Sequence, residues 1–198
     1  MFQNIRDYYQ KMIPHLSNEE WIALEDKLKL KTFKKGDAIV KQGDVSNYVY
    51  FIEKGFCRIY NTINQKEIST GFIGENEYVS IYDSFLTRKP ATENLECLED
   101  IILFALHYDD MQFLYNQYPV FQIFGRKIAE MLFIHVSQRS NALLLLTPEQ
   151  RYQRMIDNGS NLLQKVPQYM LASYIGVTPE HLSRIRKKKS LKSIDIYQ

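Results

Sequence analysis

The segment 167–189 constrains the fold of this 198-residue chain more strongly than any other part of the sequence. Ala172 is small enough to let two helices cross closely, and Gly176 can adopt the positive φ of a tight turn. Thr178 and Pro179 then mark a helix start, because a threonine hydroxyl can cap free N–H groups and proline has no N–H to leave unpaired. The spacing predicts two short helices joined by a turn, which is typical of a helix-turn-helix.

The second predicted helix has an apolar side and a polar side. Leu182 and Ile185 share one face at about 100° per residue and are expected to hold the helix to its domain. The opposite arc is free to enter the major groove of DNA, where arginine pairs with guanine and glutamate accepts from cytosine. Glu180 and Arg184 are therefore the strongest candidates for base contacts. The predicted DNA-binding residues are Thr178, Glu180, His181, Ser183, Arg184, Lys187 and Lys188.

The charge distribution agrees with a phosphate-binding surface at this end of the chain. Six Lys or Arg residues and two acidic residues occur in 179–198, so this segment carries +4 although the whole chain carries only +2. Lysines of this kind suit phosphates better than bases, because ammonium is a point charge without a planar fork. One alternative is a solvated basic hairpin, and another is a basic tail that contacts a protein or a membrane.

The first half of the chain reads as short β-strands. Five of the eight glycines lie between Gly36 and Gly74, in turns that separate short runs of β-forming residues. A capping box at Ser17 and Glu20 predicts an amphipathic helix ahead of them, reaching about residue 30. Such a pattern indicates an antiparallel barrel or jelly roll. The predicted strands are 38–40, 48–52, 56–60, 68–72 and 101–106.

A helical pattern replaces the strands after residue 106. A short helix is expected over 109–116, and a long one from Pro119 to about residue 146, with apolar residues spaced three or four apart. This seam predicts pairing with the same helix of a second copy; packing on its own barrel is the alternative. Thr147 and Pro148 repeat the helix-start signal and mark the linker. The predicted dimer-interface residues are Phe121, Phe124, Ile128, Met131 and His135.

In this order and at this length, the predicted elements resemble the Crp/Fnr superfamily of bacterial transcription regulators. The segment ASYIGVTPEHLSRI is similar to the family's DNA-reading segment, and FKKGDAIVKQGDVSNYVYFIEKGFCRIY resembles the opening strands of a cyclic-nucleotide-binding barrel. By position Glu180 and Arg184 match the family's base-reading residues, whereas its earlier arginine falls on Pro179. The resemblance implies a homodimer that binds a palindromic operator in double-stranded DNA, with RNA polymerase as a further partner.

The expected fold class is α+β, with three parts. Residues 1–118 would form a cyclic-nucleotide-binding-like sensor barrel with an N-terminal helix, 119–146 a dimerisation helix, and 147–198 a helix-turn-helix domain. No apolar run approaches the ~20 residues that cross a bilayer, and no signal-peptide core is present near the start, so a cytoplasmic protein with no membrane partner is expected.

The sensor departs from the pattern of nucleotide-binding members. These members carry a Gly-Glu pair for the ribose and an Arg-Ser or Arg-Thr pair for the cyclic phosphate. Ser80 and Ile81 stand at the first pair, and Pro90 and Ala91 at the second. Cyclic AMP is therefore not expected to bind, and any effector would be an unidentified small molecule. The candidate ligand-binding residues are Tyr78, Tyr82, Arg88, Lys89 and Thr92.

The sequence contains few residues that could form a catalytic, metal-binding or cofactor-binding site. Cys57 and Cys97 form no metal-binding motif, and no cysteine cluster precedes them for an iron–sulfur centre. A cupin-like metalloenzyme would need two or three histidines and a carboxylate inside the barrel, but only His107 is near a predicted strand. His107 is also a conceivable haem ligand, although a lone histidine is more often structural. We predict a protein without catalytic residues, metal or cofactor.

Overall fold

The computed structural model describes residues 2–157 and 162–194, with side chains as far as residue 189. The chain divides into two compact units, Met1–Asn61 with Gly71–Phe133, and Thr62–Thr70 with Ile134–Gln198. This division differs from the predicted boundaries in two ways: it cuts the long helix in the middle, and it places a β-hairpin tip with the C-terminal helices.

The first unit contains two four-stranded antiparallel sheets, apart from the tip of the β4–β5 hairpin in residues 62–70, and flanking helices. The strand orders are β1-β8-β3-β6 and β2-β7-β4-β5. The architecture is α+β, as the sequence predicted. The elements are α1 (Gln3–Met12), α2 (Asn18–Glu25), β1 (Lys29–Phe33), β2 (Ala38–Val40), β3 (Tyr48–Lys54), β4 (Cys57–Ile63), β5 (Lys66–Ile73), β6 (Tyr78–Val79), α3 (Tyr82–Thr87), β7 (Asn94–Cys97), β8 (Ile101–His107), α4 (Tyr108–Gln117) and the start of α5 (Pro119–Leu145).

The two faces of the β1-β8-β3-β6 sheet bury different kinds of side chain. The inner face joins residues of the other sheet in an aliphatic barrel interior that includes Ile52, Leu95 and Leu103. The outer face packs under α1, α4 and α5 in an aromatic cluster, where the rings of Tyr9 and Phe124 stack with centroids 3.9 Å apart. Strands β3 and β8 thus divide two separate cores.

The second helix is shorter than the sequence predicted. Its capping box forms as expected, because the Ser17 hydroxyl accepts from the Glu20 N–H and the Glu20 carboxylate accepts from the Ser17 N–H. The helix ends at Glu25, however, and Lys29 already begins β1, which pairs with β8 from Lys29↔Ala105 to Phe33↔Ile101. Pairing with a distant strand overrides the local helical pattern here. Strands β6 and β7 were not predicted, since two and four residues carry too little periodicity.

The second unit is mainly helical. It contains the rest of α5, α6 (Pro148–Asp157), α7 (Leu162–Lys165), α8 (Gln168–Ile175) and α9 (Pro179–Ile194). Helix α6 begins where the sequence predicted, and Thr147 and Gln150 exchange side-chain to backbone hydrogen bonds of 2.9 and 3.3 Å at its start. Among the described helices, none combines the length and the apolar content of a membrane span.

Candidate functional site

Helices α8 and α9 are joined by the tight turn that the sequence predicted. Gly176 ends α8 in the left-handed region at φ 73°, where a larger side chain would be strained. The Val177 N–H donates to the Ala172 carbonyl at 2.9 Å, which satisfies an acceptor at the end of α8. The direction of the chain therefore changes within three residues, and α9 starts at Pro179.

Two side-chain hydrogen bonds fix the start of α9. The Thr178 hydroxyl accepts a hydrogen bond of 3.2 Å from the His181 N–H, which is the N-cap role predicted for this threonine. The Gln168 side-chain amide donates to the Pro179 carbonyl at 3.2 Å and so links the start of α8 to the start of α9. These bonds fix the crossing of the two helices.

Burial separates the two faces of α9. Leu182 and Ile185 are 0% and 3% exposed, and Ala172 on α8 is fully buried where the helices cross. The opposite arc contains the predicted DNA-binding residues. Thr178, Glu180, Ser183, Arg184, Lys187 and Lys188 are exposed, and His181 is partly exposed. The structure thus presents these side chains together on one surface, while their contact with DNA stays a prediction.

The acid on this surface is held in its ionised form. The Glu180 pKa is lowered by a hydrogen bond from its own backbone N–H, by the Thr178 hydroxyl and by the nearby charge of Arg184. A carboxylate at the N-terminus of a helix also interacts favourably with the helix dipole. Glu180 is therefore an acceptor at neutral pH, as a contact to a cytosine amino group requires.

Arg151 on α6 ties the ends of two helices together, a role that sequence reasoning missed. Its guanidinium donates to the Leu146 carbonyl and to the Ile175 carbonyl, each at 2.7 Å, and so satisfies acceptors beyond α5 and at the end of α8. A cation at helix C-termini is also favoured by their dipoles. No local motif indicates this role, because the accepting carbonyls belong to segments on both sides of Arg151 in the chain.

The tip of the β4–β5 hairpin belongs to the same unit as these helices. Its turn residues, Asn64 and Gln65, both have positive φ, as two-residue hairpin loops favour. The Ser69 N–H donates to the Ser173 hydroxyl on α8 at 3.1 Å. Arg139 of α5 donates to the Tyr174 carbonyl at 3.1 Å. Helix α8 is thus held from two sides within its unit.

The structure corrects the predicted interface on the long helix. Phe121, Phe124 and Ile128 are between 2% and 9% exposed and lie in the aromatic core of the first unit, so they are not available to a second copy. This is the alternative in which the helix packs on its own barrel, and it applies to the first third of α5. Met131 and His135 remain exposed.

The second half of α5 carries most of its large exposed apolar residues. Phe133, Leu144 and Leu145 are 75%, 77% and 76% exposed, and Ile134 is 54% exposed. At 100° per residue these positions lie away from the stripe that contains Phe121, Phe124 and Ile128. The pattern along α5 thus combines a buried stripe with apolar residues that face solvent on several sides, among which Phe133, Ile134, Leu144 and Leu145 form an exposed stripe.

The barrel interior is closed at the positions that would grip a cyclic nucleotide. Ile81 and Ala91 are 1% and 3% exposed and pack into the aliphatic interior. The Ser80 hydroxyl donates to the Tyr48 carbonyl at 3.0 Å. Arg58 on β4 is fully buried, but its guanidinium lies 3.7 Å from the Glu96 carboxylate of the paired strand. An aliphatic interior offers no acceptor for a ribose at Ile81 and no donor for a phosphate at Ala91.

The structure does not bring the five candidate ligand-binding residues into one site. Arg88 donates to the Ser46 carbonyl at 2.9 Å and to the Phe85 carbonyl at 3.1 Å, and its guanidinium lies over the Tyr108 ring. It serves as a structural cap of α3. Lys89 and Thr92 are exposed. Tyr78 and Tyr82 belong instead to the aromatic cluster outside the barrel.

His107 has a structural role at the junction of β8 and α4. Its Nδ1 accepts from the Asp109 N–H at 3.3 Å and caps α4, and its ring makes an edge contact with Tyr48. Within the part of the chain that the structure describes, no group of three or more His, Cys, Asp or Glu side chains is arranged to hold a metal ion.

Residues 30–118 match the family model described as the cyclic nucleotide-binding domain. Over 94 residues, 48% of this chain, the sequence is 27% identical to the cAMP-dependent protein kinase type II regulatory subunit of Drosophila melanogaster. The matched part is only 25% of that protein. The chain therefore matches about a quarter of the length of this relative and not the whole kinase subunit.

Solved structures share the fold over nearly the whole chain. The c-di-GMP-responsive global regulator CLP of Xanthomonas campestris superimposes with a TM-score of 0.70 at 16% identity, and covers 89% of this chain and 93% of its own. The catabolite activator protein of Thermus thermophilus gives a TM-score of 0.57 at 21% identity, with 92% and 87% covered. The resemblance to Crp/Fnr-type regulators is thereby confirmed at the level of the fold.

Proposed function

We propose that this chain, which has a cyclic-nucleotide-binding-like domain and the fold of Crp/Fnr-type regulators, is a sequence-specific DNA-binding transcription regulator. It acts as a homodimer on a palindromic operator, with RNA polymerase as a further partner in the cytoplasm. The observation that carries the proposal is the geometry of α8 and α9. A capped helix with a buried apolar face presents Glu180, Arg184 and several lysines together to solvent.

The roles within α9 follow from side-chain chemistry. Arg184 can donate two hydrogen bonds to the O6 and N7 atoms of guanine, and ionised Glu180 can accept from a cytosine amino group. Lys187 and Lys188 lie further along the helix and suit phosphate oxygens, which fix the register without reading sequence. A two-fold dimer would place its two recognition helices about one turn of DNA apart, ~34 Å.

The homodimer is supported by the exposed stripe on α5. Phe133, Ile134 and Leu144 lie on one arc of the helix, and each is more than half exposed. Large exposed apolar side chains grouped in this way mark an interaction site. Burying the stripe against the same helix of a second copy forms a two-fold interface. Met131 and His135 share the helix face of Ile128 at 100° per residue, so they lie outside the exposed stripe. The proposed interface on the second half of α5 therefore replaces the predicted one.

For the sensor domain, we propose that the barrel does not bind cyclic AMP. It is supported by the burial of Ile81 and Ala91 in the aliphatic interior. Cyclic-nucleotide binding is the second candidate, favoured by the family match over residues 30–118 and by the similarity to a cAMP-dependent kinase subunit. A basic module for protein or membrane contact is the alternative to DNA binding.

Selection of bound DNA tests the proposal. The purified full chain is incubated with fragmented genomic DNA and with a random duplex library, and the bound fragments are sequenced. We expect a two-fold symmetric motif with half-sites one helical turn apart, and its loss in the double variant Glu180→Ala/Arg184→Ala. Recovery of unrelated sequences with the same affinity in both proteins would show that α9 does not read bases.

A further inference from the structure

The geometry points to a small-molecule site outside the barrel, on the outer face of the β1-β8-β3-β6 sheet under α1, α4 and α5. A cavity of about 30 Å³ lies there, inside the first unit. None of the described residues that line it carries a charge, and four of them are tyrosines. Its lining includes Tyr9, Tyr78, Tyr82, Tyr115, Phe124 and Ile128.

The Tyr78 hydroxyl beside this cavity lacks a regular hydrogen-bond partner among the described residues. Tyr78 Oη is buried and has no hydrogen-bond partner of ordinary geometry among the described residues, although the Tyr9 hydroxyl is close enough to interact with it. Buried polar atoms without a partner are rare and carry a cost. Burial raises the pKa of Tyr78 and raises that of Tyr82 to about 12. These hydroxyls therefore stay protonated at neutral pH and can donate to a bound acceptor.

A glycine in α5 makes the wall of the cavity adjustable. A Cβ at Gly125 would overlap Tyr115 Oη, so the tyrosine occupies the space that any other residue would fill. Glycine inside a helix costs roughly 1 kcal/mol relative to alanine, and the close approach of Tyr115 gives a reason for it. Movement of the Tyr115 ring away from Gly125 would enlarge the cavity without a change in the backbone.

The lining defines the chemical class of the ligand. An uncharged, largely aromatic wall with a protonated hydroxyl suits a small neutral molecule that has an apolar body and one hydrogen-bond acceptor, such as a short-chain ketone. Anionic ligands are disfavoured, because burying a charge without a cation is costly. The present volume holds about two water molecules, so a ketone of five heavy atoms requires the Tyr115 ring to move. Occupancy does not depend on DNA binding, whereas an effect on the operator complex rests on the proposed function.

A methyl NMR titration of the full chain with butan-2-one tests this site. With ¹³C-labelled Ile, Leu and Met methyl groups, we expect saturable shifts at Met111, Leu114 and Ile128, which line the cavity, and none at Leu182 or Ile185 in α9. 2-Methylbut-1-ene has nearly the same shape without the carbonyl oxygen and should bind more weakly. The absence of saturable shifts at the lining methyls would overturn the site.

Two substitutions assign the binding to these residues. Tyr78→Phe removes the donor and keeps the ring, so the affinity for butan-2-one should fall about two- to ten-fold. Tyr118→Phe is the matched control, because Tyr118 packs against the same cluster without lining the cavity. Unchanged affinity in Tyr78→Phe would overturn the proposed hydrogen bond. A separate gel shift with operator DNA reports on DNA binding alone, so the two proposals can fail independently.

Discussion

Helix α9 leaves Glu180 and Arg184 in solvent, whereas the barrel buries Ile81 and Ala91 at the positions where nucleotide-binding relatives would place their gripping groups. Both regions are built around a well-packed apolar core. In α9 the core uses one face of a helix and leaves the other free. In the barrel, core side chains occupy the positions at which nucleotide-binding relatives contact their ligand. A fold of this kind can therefore keep one contact surface and close another.

The largest expected effect comes from removing the dimer while leaving α9 untouched. Phe133→Asp/Leu144→Asp places charges on the exposed stripe of α5, so the protein should become monomeric. Operator affinity should then fall by roughly 100-fold or more, because the second half-site no longer binds as part of the same molecule. Light scattering gives the mass, and a gel shift gives the affinity.

A matched control for this variant is Ile22→Asp/Leu86→Asp. These residues are 50% and 54% exposed and lie on α2 and α3 instead of α5. The control should remain a dimer and bind DNA normally. If the α5 variant also remains a dimer, the exposed stripe is not the dimer interface, and the two copies of α9 must be paired through another surface.

The next effect separates base reading from the rest of α9. Arg184→Ala should cost about 1–3 kcal/mol for each half-site and relax the preference at one base pair there, because a bidentate pair with guanine is removed. Gel shifts against a library of half-site mutants measure both quantities. Arg154→Ala, which removes the same charge from α6, should leave the preference unchanged. Control of specificity by a residue outside 178–188 would contradict the assignment of the recognition helix.

A smaller effect is expected further along α9. Lys188→Ala should weaken binding to all sequences by a similar factor, because an interaction with phosphate carries no sequence information. The slope of log affinity against log salt should fall by about one unit for each phosphate that the lysine no longer neutralises. Filter binding at several salt concentrations measures this slope. A change in base preference with an unchanged slope would instead place Lys188 on a base.

The last prediction is that cyclic nucleotides have no effect, and it tests the barrel, whose binding positions are buried. Cyclic AMP and cyclic GMP should give no saturable heat with the full chain, because Ile81 and Ala91 fill the positions of the ribose and phosphate contacts. Titration calorimetry measures this directly. A micromolar dissociation constant for either nucleotide would show that the barrel can open, and would contradict the conclusion that its core fills the binding positions.

The pair of helices α8 and α9 and the turn between them could be predicted in detail from the sequence, because their signals are local. Thr178 caps α9, Gly176 takes the left-handed turn, and Leu182 with Ile185 faces inward, as the residue types and spacing predicted. The long helix was predicted within one residue of its observed end, yet the roles of its faces were not. Periodicity shows which residues share a face, but it cannot show whether that face meets its own barrel or a second chain.

Residue types and their local spacing were enough to establish the order of the parts, the α+β class, the capped turn before α9 and the absence of gripping groups at Ile81 and Ala91. These features depend on interactions within a few residues or on residue type alone. The packing of the folded chain was needed to show that Arg151 joins segments from both sides of it, that Arg88 caps α3, and that Tyr115 fills the space beside Gly125. Such contacts link residues whose separation in sequence has no fixed relation to distance, because the packing of whole elements brings them together.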